Sequence, residues 1–518
     1  CIGNLYYGMR LLTPIQAYEL EDISMNSMGI SGYKLMGNAG RCIADLAMKM
    51  ISDNNVPLIV IVCGKGNNGG DGFATALELL NYNVQVQIYV TCNRGEIKDD
   101  ALIFFLECES HKLPIIFGDT IPINLKPDLI IDGIIGTGFK GNLRQNLLPW
   151  IEWINSSESP VLSIDISSGL SGNSGEVLPI AVNADKTLTF GAPKVGTIFR
   201  KGPLYSGEVI TENIGFPNLD EIDFSGIEWS MFDESLASVM LKKPGIDSNK
   251  YSNGKVLIIA GSKGLTGAAI LTSYGALRSG VGLTITTSPS SLNDIYERSI
   301  IEGITLPLAD NGSGHLLIDH YDQIMEKVEW ADAVVLGPGI GRAQTTQELV
   351  IKLVESISKP LILDADGLFP FAGNYNKLRN RKYPLIITPH LGELSKLLGI
   401  ESSELISNFP NIMKQFMSDF NHIAHIKQVP SCTFQKEISM INSTGNPGLA
   451  TGGSGDVLSG ILGSLVAQGF DLFTATTLSA YIHGKASDNL IKEKGFRGQI
   501  ASDLLLQIPK VISHFEQS

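Results

Sequence analysis

Two glycine-rich clusters carry the residues best suited to chemistry. The first, at positions 64–72, reads G-K-G-N-N-G-G-D-G. Small residues let a backbone approach a ligand closely. A helix start adds unpaired N–H groups and the positive end of a dipole. The expected ligand group is therefore an anion such as a phosphate. Gly64, Gly66 and Gly69 satisfy G-x-G-x-x-G. A dinucleotide site of the ordinary kind also wants an acid at the end of the second strand. Here that strand ends Val90-Thr91-Cys92, with no acid. This argues against a hydride-transfer dehydrogenase and leaves a nucleotide-like ligand open. A tight turn packing helix on strand is the competing reading, which Asn67, Asn68 and Asp71 weaken.

Three later segments end strand-like runs with polar groups. I-I-D-G-I-I-G-T-G-F-K-G (130–141) carries Asp132, S-I-D-I-S-S-G-L (163–170) carries Asp165 and Ser168, and F-G-A-P-K (190–194) follows a third run. In an open parallel sheet the C-terminal strand ends border one crevice. Asn68, Asp132, Asp165 and Ser168 are expected to meet there, and their oxygens suit a hard cation. Each Asp taken alone reads equally well as a helix cap.

The second cluster, N-P-G-L-A-T-G-G-S-G-D-V-L-S-G (446–460), is expected to present several amides at a helix start, an anion hole for phosphoryl oxygens. Asp456 in the first helical turn is the candidate base for a substrate hydroxyl. No G-x-x-x-x-G-K-[ST] occurs, so this is not a P-loop protein. Segments 261–269, 337–341, 364–368 and T-P-H-L-G-E (388–393) supply further strand ends. His390 reads equally as a structural and as a ligand-facing histidine.

These motifs need elements to hold them. Thr13-Pro14 reads as a helix cap with Pro at the first helical position, and the helix runs to about Ser27. A second helix spans about Tyr33 to Met50. Strands are expected at 58–63, 84–90, 129–135, 161–166 and 187–190, with a helix at 73–80 between the first two. Around 216–248 the periodicity fades and a domain boundary is expected. A second strand series follows at 256–260, 283–287, 333–336, 361–363, 385–388 and 423–426. A hairpin at 432–435 and 438–441 lacks the usual Gly or Asn in its turn. The alternation predicts α/β architecture, a doubly wound Rossmann-like parallel sheet followed by a second α/β domain.

Bulk properties agree. Of 518 residues 43% are hydrophobic and 18% charged, enough for large cores. A formal charge of −14 argues against nucleic-acid binding. Six cysteines without a C-x-x-C pair argue against a zinc site or a disulfide scaffold and favour a reducing compartment. No apolar run reaches the ~18 residues of a bilayer span, and positions 1–10 lack the pattern of a signal peptide. A cytoplasmic location is expected, with an organelle open to a chain whose targeting segment has been removed.

Taken together, G-N-N-G-G-D-G, L-M-G-N-A-G (35–40), T-P-H-L-G-E and the 446–460 run resemble the bifunctional NAD(P)H-hydrate repair enzymes, in that family's order and over nearly the whole chain. The resemblance implies an epimerase domain over 1–230 and a ribokinase-like dehydratase domain over 240–518. It implies that Asn67, Asn68, Gly69, Gly70 and Asp71 hold the hydrated dinucleotide. The loop of Gly136, Thr137, Gly138, Phe139, Lys140, Gly141 and Asn142 would do so too. Asn68, Asp132 and Ser168 would bind K+, and Asp165 would contact the hydrated ring as acid or base. In the second domain Ala268, Gly339, His390 and Asp456 would line the substrate site, with Asp456 catalytic. Lys427, Gln428, Val429, Pro430 and Ser431 would contact ADP or ATP, together with Gly452, Gly453, Ser454 and Gly455, and Mg2+ would accompany the nucleotide. The chain departs from the family pattern at Gly37, at Ser167, and at Gln428 and Val429 after Lys427. The partners expected are small molecules, not nucleic acid or membrane, and the assembly a homo-oligomer. The rival reading is a ribokinase-like small-molecule kinase with a non-catalytic N-terminal domain.

Overall fold

Thr13 caps the first helix through a reciprocal pair of bonds. Its Oγ1 accepts from the Gln16 amide at 3.3 Å, and the Gln16 side chain accepts from the Thr13 amide at 3.0 Å. The helix Pro14–Asn26 follows. This computed structural model describes residues 8–51, 56–118, 120–138, 141, 143–241 and 243–516. Its chain divides into two units, Met9–Trp229 and Ser230–Ser518, the latter with Gly8.

The first unit is built on a parallel sheet. Its strand order is Ile115–Phe117, Gln85–Val90, Leu58–Cys63, Leu129–Gly133, Val161–Ile164, Lys186–Phe190 and Glu208–Glu212. The order reverses between Leu58–Cys63 and Leu129–Gly133, which opens a crevice beyond their C-terminal ends. Alternate residues of Leu58–Cys63 serve opposite faces. Ile59, Ile61 and Cys63 pack in the core with Phe73 and Phe105, whereas Val60 and Val62 pack with Trp150 and Ile154. Burial on both faces explains the unbroken apolar run.

One expectation changes. The helix after the first cluster starts at Asn67, not Phe73. The glycines are its first turns rather than a loop, because the helix lies too close to its neighbours for side chains. A Cβ at Gly69 would stand 2.0 Å from the Gly64 carbonyl oxygen. Gly69→Ala therefore forces the helix off the strand and should destabilise this unit by roughly 1–3 kcal/mol. Denaturant unfolding of the variant checks this, and unchanged stability would contradict the packing.

In the second unit the strands from Lys255 onward run Ile438–Asn442, Cys432–Gln435, Ile423–Ile426, Leu385–Ile387, Leu361–Leu363, Ala333–Leu336, Lys255–Ile259, Leu283–Pro289 and Ile304–Leu308. All neighbours are parallel except the two pairs of the terminal hairpin. That hairpin turns without Gly or Asn because Lys436 takes the left-handed conformation, φ +53°. The order again reverses, here between Lys255–Ile259 and Ala333–Leu336. The helix Ser454–Ala467 packs against Thr266–Arg278, and every one of its residues from Val457 to Ala467 is buried. An apolar surface all round drives the helix into the core and fixes where its N-terminus opens.

Candidate functional sites

A cavity of about 900 Å³ fills the crevice of the first unit. Its lining includes Asn67, Asn68, Asp71, Gly136, Thr137, Gly138 and Asp165 from the expected set. Gly69 and Gly70 lie off it, Gly70 packing towards Met36 and Ala101. Gly141 is exposed and off the lining. Phe139, Lys140 and Asn142 lie outside the described residues.

Asp165 follows the strand Val161–Ile164 and holds φ +62°, uncommon for a residue with a Cβ. The Ile166 amide donates to the Ile164 carbonyl at 2.7 Å, closing a three-residue turn around it. Such strained backbone persists where surrounding contacts over-determine it. Here Lys194, 2% exposed, forms a short ion pair with Asp165 Oδ1. Thr189 Oγ1 also donates to that oxygen, at 3.1 Å. The ammonium is held in place by Thr189 Oγ1 at 3.0 Å and the Phe190 carbonyl at 3.2 Å. Two more carboxyls border the cavity. Burial, reinforced by the Asp165 charge, lifts Glu21 to about 6. The same causes in the same order, with Glu21 added, lift Asp71 well above the usual carboxyl range. The cavity thus holds one charged pair and two acids inclined to keep their protons. Sequence reasoning passed over Lys194 and Glu21. Lys194 had a signal, since F-G-A-P-K follows a strand end. Glu21 had none, because its helix approaches the crevice only in the folded unit.

Asp132 and Ser168 meet beneath the cavity. Asp132 is fully buried and takes Ser168 Oγ at 2.6 Å, the Ser168 amide at 2.9 Å, Ser163 Oγ at 2.9 Å and the Ile134 amide at 3.3 Å. Burial raises its pKa against these bonds. Among the described residues no Lys, Arg or His pairs with it. Asn68 Nδ2 is buried without a partner, and Asn68 Oδ1 faces the Gly136 backbone.

In the second unit the second glycine cluster meets a lysine. Gly453 holds φ +91° and caps the helix Ser454–Ala467 without a side-chain bond; the Ser454 amide turns back to the Thr451 carbonyl at 3.4 Å, which leaves those of Gly455 and Asp456 open. Lys427 follows the strand Ile423–Ile426. Its Nζ donates to Asp364 Oδ1 at 2.5 Å and lies 3.3 Å from where a Cβ at Gly455 would stand. Ser459 Oγ donates to the other Asp364 oxygen at 2.7 Å. Asp456 joins this cluster in the first helical turn. Burial and the neighbouring Asp364 lift it to about 7, against the pull of Lys427. Asp364 is a third group that the sequence does not single out, although D-A-D-G-L ends a strand.

Ala268 and Gly339 stand against each other at the sheet reversal; a Cβ on Gly339 would touch the Ala268 methyl at 2.7 Å. His390 caps the helix Leu391–Leu398, its Nδ1 accepting from Gly392 at 3.0 Å and Glu393 at 3.3 Å. It also sits beside Lys427, whose amide donates to the Pro389 carbonyl at 2.9 Å. Of the 427–431 set only Lys427 enters the cluster. Gln428 reaches towards Cys432, the Ser431 carbonyl accepts from Asn442 at 2.9 Å, Pro430 continues the link to the hairpin, and Val429 is 67% exposed. No helix of the described residues is long and apolar enough to cross a membrane.

Fold and sites define a two-unit α/β protein with two separate crevices, each at a sheet reversal and each edged by the amides of a helix start. The family model for NAD(P)H-hydrate dehydratase matches residues 256–510, and that for the YjeF-related protein N-terminus matches 32–196. The bifunctional NAD(P)H-hydrate repair enzyme Nnr of Moorella thermoacetica is 31% identical over 98% of this chain and 98% of its own. That of Coxiella burnetii is 33% identical over 94% and 96%. A solved ADP/ATP-dependent NAD(P)H-hydrate dehydratase from Bacillus subtilis, co-crystallised with ATP/Mg2+, is 23% identical and covers 57% of this chain and 100% of its own, with TM-score 0.47. The chain belongs to the bifunctional NAD(P)H-hydrate repair enzymes. It is an enzyme joining an NAD(P)H-hydrate epimerase domain to an NAD(P)H-hydrate dehydratase domain.

Proposed function

We propose that residues 1–230 interconvert the R and S hydrates of NADH and NADPH, and that residues 240–518 return the S form to the reduced coenzyme by consuming ADP or ATP. The observation that carries the first assignment is the Lys194–Asp165 pair on the wall of the 900 Å³ cavity, with two carboxyls beside it, Glu21 and Asp71, that burial inclines to keep their protons. The hydroxyl-bearing ring carbon adjoins the ring nitrogen. Glu21 or Asp71 gives a proton to the hydroxyl, the nitrogen lone pair expels water, and the ring carbon becomes planar. Water then adds to the other face as Asp165 takes its proton. Lys194 holds Asp165 oriented through the ion pair and is a positioning residue.

Potassium suits the polar cluster beneath. Asp132, a buried carboxyl that no described Lys, Arg or His pairs with, and the side-chain oxygens of Asn68 and Ser168 are hard donors for a monovalent cation. Asn68, Asp132 and Ser168 would hold it, and it would supply positive charge under the anionic substrate.

In the second unit Asp456 takes the proton of the substrate hydroxyl, whose oxygen attacks the terminal phosphoryl group. The amides of Gly452 to Gly455 and the Lys427 ammonium stabilise the charge that develops. Phosphate then leaves, pushed by the ring nitrogen, and the neighbouring carbon loses a proton. Ala268, Gly339 and His390 border the substrate. Asp364 and Asp366 lie beside Asp456, each already paired with a cation, Lys427 and Arg342 respectively. Mg2+ would arrive with the nucleotide and neutralise its phosphates. The five described cysteines are free thiols, which accords with a cytoplasmic enzyme.

The reading is tested with pure R hydrate and no nucleotide. R-to-S conversion should appear, and it should weaken as pH rises past about 6, where Glu21 loses its proton. Glu21→Gln should remove that limb of the pH profile while slowing the reaction at low pH. An unchanged profile would exclude Glu21 as the acid.

A further inference from the structure

The cavity of the first unit continues past the reacting end to the C-terminal end of Gln85–Val90. Three strand spacings of about 4.8 Å separate that strand from Val161–Ile164, so its end lies ~14 Å from Asp165. In dinucleotide-binding sheets this far strand end faces the adenosine ribose. An acid there accepts from the ribose 2′-hydroxyl, whereas cations there accommodate a 2′-phosphate. The sequence shows no acid at Thr91-Cys92. The folded chain supplies one from further on, since Glu96 lies on the cavity lining.

Glu96 is not available to a ribose. Its carboxylate accepts from the Asn93 amide at 3.2 Å and from Lys65 at 3.3 Å, with Arg144 4.0 Å away. Lys65 and Arg144 also line the cavity, with side chains 44% and 64% exposed. One carboxylate between two cations leaves a net positive rim at the position where a 2′-phosphate would arrive. Elsewhere the described residues of the cavity wall carry Glu21, Asp71 and Asp165 against Lys194, so among them the positive rim is local to this end.

Resting on the epimerase reading, we propose that Lys65 and Arg144 form a 2′-phosphate subsite that makes the epimerase prefer the hydrate of NADPH over that of NADH. Arg144 offers a planar fork suited to phosphate, and Lys65 a point charge. Glu96 holds both cations at the rim and tempers their charge.

The test uses the full chain without ADP or ATP, so that only R-to-S conversion is read. For K65A/R144A, kcat/KM for the NADPH hydrate should fall about 10- to 100-fold, the size of a lost charge-assisted contact, while the value for the NADH hydrate changes less than ~3-fold. For wild type, adenosine 2′,5′-bisphosphate should inhibit more strongly than adenosine 5′-monophosphate, and the double variant should lose that difference. Glu96→Gln should widen the preference for the NADPH hydrate, an effect a merely structural rim would not give. Equal losses on both hydrates, or none on either, would overturn the subsite. Wild-type protein that converts neither hydrate would instead overturn the epimerase reading, and the subsite with it.

Discussion

Asp456→Asn should lower nucleotide-dependent recovery of NADH or NADPH by ~10³-fold or more, the upper range for loss of a general base, while R-to-S conversion stays near the wild-type rate. The side chain is nearly isosteric, so the helix start and its amides keep their geometry, but an amide cannot take the substrate proton. The pH dependence carries a second signature. A carboxyl lifted to about 7 is protonated and inactive below that value. Dehydration in the wild type should therefore rise as pH passes through about 7 and level off above it. The variant should lack this limb. Equal loss of both activities in Asp456→Asn would contradict the division of labour between the two units.

Lys194→Met should cost the first unit about 3–5 kcal/mol, because removing one partner strands a buried carboxylate. It should also reduce R-to-S conversion by roughly 10²-fold or more, since Asp165 then loses the partner that orients it. Stability and activity can be separated by a second replacement. Asparagine tolerates left-handed backbone, so Asp165→Asn suits φ +62°. Combined with Lys194→Met it removes both charges, and most of the lost stability should return. Activity should not. Thermal unfolding and R-to-S assays on the two variants decide this. A double variant that regained conversion would show that the pair serves only to hold the fold.

Much of this architecture is legible in local sequence. Leu58–Cys63 announces a doubly covered strand because no polar residue interrupts it, and Thr13-Pro14 announces its helix because the capping chemistry is local. Ile304–Leu308 was not legible. Pro307 lies inside it, which a strand tolerates only at a sheet edge, and edge position is a property of the fold. The helix start at Asn67 was hidden for a similar reason. Glycines suggest a loop until the neighbour that demands them, the Gly64 carbonyl, is in view. The sites divide in the same way. Asp165 and Asp456 stand out because each follows a strand or opens a helix beside glycines. Lys194, Glu21 and Asp364 act through partners far away in the chain, and no spacing rule links them.

The most direct test of two crevices serving one damaged coenzyme starts from pure R hydrate of NADPH with ADP or ATP. Wild type should regenerate NADPH with one inorganic phosphate released per molecule restored. Asp456→Asn should stop at a mixture of R and S hydrates, and Asp165→Asn should leave the R form. A stable phosphoester product, or an Asp456→Asn protein that forms no S hydrate, would contradict the account.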